Sequence, residues 1–411
     1  MNTQGLKVGI VGGSIAGCTA AIELMRIGCE VTLFERTGDE LKDRGAGIGV
    51  PAAVFETLVR RDLIDSSTPY FPGRAFTRRW RTPGEARYGY LAWDQPADLA
   101  LLNWGVLYRN LRKRVPDRIY QAEHRVAALR VQSRERVAVE LAGGAAPVFD
   151  LVVCADGYTS LGRRMLFPEA GIEYAGYVLW RGVLSESELD ESAPLQNGVH
   201  APGYPGGHGI FYFVPGADGS VAPGTRMVNW GMYVPIEEIS LADFFTDKGM
   251  KRHEGSLPPG GMPLATETEL KRQAAGRLPD YYMGIVDRSR NTFAYAIYDC
   301  HVPAYRKGRI CLAGDAGAFA RPHTAAGALK SINDAIALAE AIKARSALED
   351  ALTEWNDART ETNNRLVTYG NQLGRALVKE IPDWSTMDAA GMQKWFASIV
   401  DVPTALLDRN R

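Results

Sequence analysis

Two stretches at opposite ends of this chain constrain its fold more than anything between them. Leu6–Val11 is a mostly apolar run that breaks at Gly12-Gly13-Ser14, and a small, apolar segment follows from Ile15 to Ile27. Glu30–Phe34 is a second apolar run, ending in Glu35. The spacing predicts a strand, a glycine turn, a helix stopped at Gly28, and a second strand parallel to the first. Far along the chain, Arg309-Ile-Cys-Leu-Ala-Gly314-Asp315-Ala316 is another apolar strand running into a glycine turn, followed by Pro322 and a helix start at Gly327. With a third segment at 150–163, the two ends read as parts of one domain, so the sheet region that interrupts it is an insertion.

The length of 411 residues calls for one large domain or two interleaved ones. A composition of 46% hydrophobic and 23% charged residues is ordinary for a soluble globular protein. A net charge of −1 argues against nucleic acid or an anionic membrane as the main partner. The cysteines Cys18, Cys29, Cys154, Cys300 and Cys311 lie far apart and form no CxxC pair. Buried reduced thiols of a cytoplasmic protein are therefore expected, and no metal site. The start of the chain is polar and runs straight into a strand, unlike a secretory leader. The apolar stretch after it carries Glu23 and four glycines, unlike a membrane span.

Between the two ends the pattern predicts a glycine loop at Gly45–Pro51, helices at Ala52–Arg60 and Leu99–Arg114, and strands at Arg125–Val131, Val137–Leu141 and Asp150–Cys154. After about residue 172 the chain becomes aromatic and β-branched. Tyr174–Leu184, Gly209–Val214 and Met227–Val234 read as strands of an antiparallel sheet, separated by Gly/Pro-rich connections such as Ala201–Gly207. Helices are expected at Glu267–Leu278, from Gly327 to about Ser346, and through most of 350–411. The expected class is α/β: a Rossmann-like nucleotide-binding domain (1–172 and 291–350) interleaved with an antiparallel-sheet substrate domain (173–290), then a helical region (351–411).

The motifs sharpen this. Gly12, Ser14 and Gly17 stand where a nucleotide-binding turn carries its glycines, with Ile15 and Ala16 opening the helix whose N-terminus suits a pyrophosphate. Glu35 is placed to accept both hydroxyls of a ribose, with Arg36 beside it. Asp156-Gly157 follows a strand, and Ser160 and Arg163 stand four and seven residues beyond Asp156. Gly314 and Asp315 end the late strand, Asp315 being placed for hydroxyls of a ribityl or ribose chain. Pro322, Gly327 and Ala328 lead into a helix whose positive end suits the electron-rich edge of a reduced flavin. Arg44, Gly47 and Val126 complete the set of cofactor candidates. Together they point to one large flavin, FAD, gripped at both ends.

These segments resemble the FAD-dependent aromatic hydroxylases of the para-hydroxybenzoate hydroxylase superfamily over roughly residues 5–350. Tyr177-Val-Leu-Trp180-Arg181-Gly182-Val-Leu and Arg321-Pro322-His323-Thr-Ala-Ala-Gly327-Ala-Leu-Lys330 are most similar to the branch that hydroxylates dihydroxypyridine, which also uses Gly-Gly-Ser in its first motif. The chain departs from many members at Trp104, where they carry an arginine, and at Ala318, where they carry a histidine. The resemblance implies a monooxygenase that uses NADH or NADPH and O2, and hydroxylates a small phenolic or hydroxypyridine-type ring through a flavin C4a-hydroperoxide. A homodimer is compatible with it. For the ring site the candidates are His323, His208 and Tyr212 for chemistry, and Tyr204, Trp230 and Arg181 for binding. Each has a plainer reading: a surface histidine for His208, core packing for Tyr212 and Trp230, and a link between sheet and cofactor layer for Arg181. The alternatives are an epoxidase or Baeyer–Villiger-type enzyme acting on a larger substrate, and a non-catalytic binding protein on the same scaffold.

Overall fold

The computed structural model describes residues 3–38 and 47–399. Its first layer is a six-stranded sheet ordered 306–307, 310–312, 151–154, 7–11, 30–34, 120–121. All neighbours are parallel except the first pair. Val8, Ile10 and the whole of Leu151–Cys154 are buried, as a sheet covered on both faces demands. The helices Ile15–Arg26 and Gly327–Ala344 pack against one another over this sheet. The opening strand and the Gly314 strand thus flank Leu151–Cys154 in a single sheet, although the chain between them builds most of a second layer.

That layer is a nine-stranded sheet ordered 256–257, 293–299, 173–185, 227–235, 207–214, 198–204, 71–80, 90–103, 47–51. Neighbours are antiparallel except 198–204 beside 71–80. The sheet extends beyond 173–290 at both ends, because 47–51, 71–80 and 90–103 join it and so does 293–299. The expected helix Leu99–Arg114 is two elements: strand to Asn103, then helix Trp104–Arg112. Leu99–Asn103 is too short and too apolar for its period to separate the two readings. The expected glycine loop is a strand over Gly47–Pro51, paired with Leu99–Asn103. Ala201–Gly207 is not a connection either, since Gly198–Tyr204 is a fully buried strand despite its glycine and proline.

Strand alternation sorts this sheet into two faces. One face carries Val178, Trp180, Phe211, Trp230 and Ala294 into an apolar core with the helices Leu264–Ala275 and Asp280–Arg288. Leu179, Arg181, Ile210, Tyr212, Tyr233 and Tyr295 stand on the other. The helix Leu348–Gly374 packs on Gly327–Ala344 and ends in a π-turn at Arg375–Lys379. Among the described residues all five cysteines are free and buried, no His/Cys/Asp/Glu group is arranged for a metal, and no helix is long and apolar enough to cross a membrane.

Candidate active site

A cavity of about 890 Å³ runs between the two sheets. At one end it is walled by main chain. Gly12, at φ +100°, carries the strand into the helix, and a Cβ there would lie 2.4 Å from the Ala155 carbonyl oxygen. A Cβ on Gly17 would lie 1.9 Å from the Gly12 carbonyl oxygen. These positions admit no side chain, and the turn they make leaves Ser14, Ile15 and Ala16 lining the cavity at a helix start. Glu35 is buried, not a solvated strand end. Its carboxylate accepts from the Gly13 amide at 2.8 Å and from the Thr37 amide at 2.9 Å. Arg36 and Val126 line the same end, and Arg44 lies outside the described residues.

The middle of the cavity is set by two acidic turns locked to each other. Asp156 accepts from the Leu161 amide at 2.7 Å through one carboxylate oxygen; the other oxygen is buried with no partner. Burial holds its carboxyl above the ordinary value, opposed by the Ser160 and Leu161 bonds. Ser160 caps the helix Leu161–Leu166. Arg163, buried, donates to the carbonyls of Asp315 at 3.1 Å and Ala316 at 3.2 Å. That explains the spacing of Ser and Arg after Asp156. Behind the second turn, Asp334 accepts the Gly314 amide at 2.9 Å and Lys330 donates to the Gly314 carbonyl at 2.7 Å. Burial alone would raise the Asp334 carboxyl, but Lys330 and Arg359 outweigh it and hold it ionised. Asp315 itself stands open to the cavity, and no described residue donates to its carboxylate. Desolvation holds that carboxyl above its ordinary value, against the pull of Lys330.

FAD fits these residues. The glycine positions leave the close approach a pyrophosphate needs, and Asp156 and Asp315 present acceptors that the protein leaves unused. Pro322, Gly327 and Ala328 close the cavity beyond Asp315.

Comparison with known proteins gives the same answer. Residues 174–299 match the family described as FAD binding domain-like. The chain is 29% identical to the 2,6-dihydroxypyridine 3-monooxygenase of Paenarthrobacter nicotinovorans, over 90% of this chain and 91% of that one. It is 24% identical to the 6-hydroxynicotinate 3-monooxygenase of Pseudomonas fluorescens, over 93% and 94%. The solved structure of 2,6-dihydroxypyridine-3-hydroxylase from Arthrobacter nicotinovorans superposes with a TM-score of 0.83, covering 92% of this chain and 93% of that chain at 24% identity. The chain is an FAD-dependent monooxygenase, similar along nine tenths of its length to these ring-hydroxylating relatives and sharing the fold of the solved one.

In this monooxygenase the far end of the cavity is walled by side chains. Tyr212 and Arg181 line it, as expected. Burial pushes the Tyr212 phenol up to about 12, with Arg181 pulling the other way. Four other ring-site candidates do not line it. Trp230 is on the opposite face of the sheet, donating to Ser289 Oγ at 2.7 Å and packed edge-on against Trp180. Tyr204 is buried, its hydroxyl donating to the carbonyls of Tyr233 and His208. His208 is not on the surface. It is buried with Nδ1 against the Leu377 carbonyl at 3.2 Å, and burial pulls its pKa down to about 4. His323 stands one layer behind the wall, stacked on Tyr233 with ring centres 4.2 Å apart and 3.0 Å from the Tyr177 hydroxyl. Burial drives its pKa well below the usual histidine value, so it stays neutral.

The residues that do wall this end, besides Tyr212 and Arg181, include Leu179, Ile210, Tyr233 and Tyr295. Period-two alternation from Tyr212 and Arg181 finds the first three, given the pairings Leu179↔Tyr233 and Ile210↔Gly231. Of the two departures, Trp104 lines the cavity and stacks on Tyr108 at 5.5 Å, and Ala318 is buried.

Proposed function

We propose that this enzyme hydroxylates a small phenolic or hydroxypyridine-type ring, consuming NADH or NADPH and O2. One observation carries the reading. A single cavity joins the turns that fit FAD to a pocket walled by Leu179, Ile210, Tyr212, Tyr233 and Tyr295, so a flat ring there shares an enclosed space with the cofactor. Bound FAD supplies the activation of O2 and the transfer of one oxygen atom. The chain's own residues do the rest. Asp156 and Asp315 take hydroxyls of the cofactor. The tyrosine and leucine walls orient the ring and keep water out. His323 and His208, both neutral, back Tyr233 and fix its plane. The curated relatives support the substrate class, two of them being named for hydroxylated pyridine rings.

The purified holoenzyme should be yellow and oxidise NADH or NADPH faster when phenols or hydroxypyridines are supplied. The product should be heavier by one oxygen atom. A flavin-loaded protein that none of these rings stimulates, but that oxygenates a larger polycyclic substrate, would favour the epoxidase or Baeyer–Villiger alternative.

A further inference from the structure

Behind the ring end of the cavity, the core face of the nine-stranded sheet carries a line of aromatic rings that runs to the surface. Trp180 stands between the cavity residues Leu179 and Arg181, and Phe211 precedes the cavity residue Tyr212. Each is therefore one peptide unit from the cavity wall, on the opposite face. Trp180 meets Trp230 with ring centres 5.0 Å apart. Phe211 lies 6.3 Å from Trp230 and 5.0 Å from Tyr282. Tyr282 lies 5.2 Å from Tyr281, and Tyr281 lies 5.8 Å from Tyr88. Trp180, Trp230, Phe211 and Tyr282 are fully buried, whereas Tyr281 and Tyr88 are partly exposed.

Packing accounts for the rings. It does not account for the partners of two hydroxyls. A phenol gives up an electron readily only when its proton leaves with it, so a base at hydrogen-bond distance marks a phenol able to carry a radical. Tyr204, Tyr174, Tyr90 and Tyr281 donate to backbone carbonyls, which take no proton. Tyr282 instead meets His200 Nδ1 at 2.7 Å, and Tyr88 meets the Glu191 carboxylate at 2.5 Å. Burial holds His200 neutral, and the Pro194 backbone, which has no N–H, can only accept from the imidazole. Nδ1 is left to accept from Tyr282. Tyr177 also has a base, His323, but its ring neighbours Tyr233 and His323 lead back to the cavity.

We propose that this line is an outlet for oxidising equivalents: it carries an electron inward from Tyr88, through Tyr281, Tyr282 and the Trp230–Trp180 pair, to a hydroxyl radical formed in the cavity. The radical is the oxidant that peroxide gives on one-electron reduction. It gains the electron as hydroxide and becomes water with a proton from the medium. Trp180 or Trp230 loses the electron and regains one from Tyr282, whose proton passes to His200. Tyr282 regains an electron through Tyr281 from Tyr88, and its proton returns from His200. The Tyr88 proton passes to Glu191 and on to solvent. A thiol in solution then gives its hydrogen atom to Tyr88, so the net change is hydroxyl radical and thiol to water and thiyl radical. This protective path goes beyond ring hydroxylation and holds whichever ring is the substrate.

The holoenzyme carries its own trigger, because blue light makes oxidised flavin a strong one-electron oxidant. Freezing it under illumination, with ferricyanide as the final acceptor, should trap a tyrosyl radical in the electron paramagnetic resonance spectrum. Tyr88→Phe, which keeps the ring, should lose that signal. Tyr282→Phe should replace it with a tryptophan radical. The parent signal at full yield in both variants overturns the proposal. A second readout follows damage. With NADH or NADPH and O2 but no ring to hydroxylate, Tyr282→Phe should begin at the parent's rate of coenzyme oxidation. Peptide mass spectrometry should then find Tyr212 and Tyr233 oxidised sooner in Tyr282→Phe than in the parent. Equal damage in the two also overturns the proposal.

Discussion

At the end of the cavity near Gly12 and Glu35 the walls are main chain; at the end near Tyr212 and Tyr233 they are side chains standing on a sheet. The first end works through what is missing, since Gly12 and Gly17 have no side chain and the Gly13 amide is pinned by Glu35. The second works through what is present: tyrosine, leucine and isoleucine side chains and the Arg181 guanidinium. The difference decides how each end tolerates change. A main-chain wall has one solution, and any added atom fills it. A side-chain wall can be repacked to accept another ring, so relatives with a common cofactor can take different substrates.

The sharpest way to break this contrast is Gly17→Val. Its Cβ alone would overlap the Gly12 carbonyl, so strand and helix must part where the pyrophosphate fits. The variant should purify colourless. Flavin content equal to the parent's would show that the main-chain end can make room for an added side chain.

Next in size come two carboxylates that line the cavity. The Asp315 carboxylate accepts from no described residue, so its oxygens are free for a ligand. Glu35 already accepts from the Gly13 and Thr37 amides and has fewer left to offer. Asp315→Ala should raise the dissociation constant for FAD by about tenfold to a hundredfold. Glu35→Ala should do so less, unless loss of the Gly13 acceptor unsettles the turn. Titrating apoprotein with FAD by fluorescence ranks the two, and the reverse order would assign the main ribose or ribityl contact to Glu35.

The same contrast explains what could be read from the sequence. Glycine turns, the acid at the end of the second strand, and Gly-Asp after a late strand leave local signatures, because a backbone conformation is encoded by the residues that adopt it. The ring end leaves no such signature. Tyr212 and Trp230 look alike in their strands, yet one faces the cavity and the other the core. The deciding fact is register with a neighbouring strand: Tyr212 sits opposite Asn229, while Trp230 sits opposite Phe211. His323 is adjacent in sequence to the cavity residue Pro322, but the short 3₁₀ turn Pro322–Thr324 carries it behind Tyr233. The strands of 71–103 went unread for a different reason: their outward positions are charged or polar, and Pro72 and Pro96 interrupt them.

A smaller effect tests whether His208 is scaffold or chemistry. Burial pulls its pKa from 6.5 to about 4, and does the same to His200, which meets the Tyr282 hydroxyl at 2.7 Å on the core face of the sheet. A group with a depressed pKa in the folded state takes up its proton first in the unfolded chain. Its contribution to stability is therefore complete above pH 6.5 and is lost as the pH falls toward 4. Each histidine should cost up to about 2 kcal/mol by pH 5. Thermal unfolding between pH 7 and pH 5 should show a falling Tm, and His208→Gln, which keeps a donor for the Leu377 carbonyl, should flatten that fall. The pH dependence of kcat should carry no limb near neutrality belonging to His208. If His208→Gln instead removed such a limb and left the Tm profile unchanged, His208 would titrate during turnover. The side-chain end of the cavity would then hold an acid–base group rather than a frame for Tyr233.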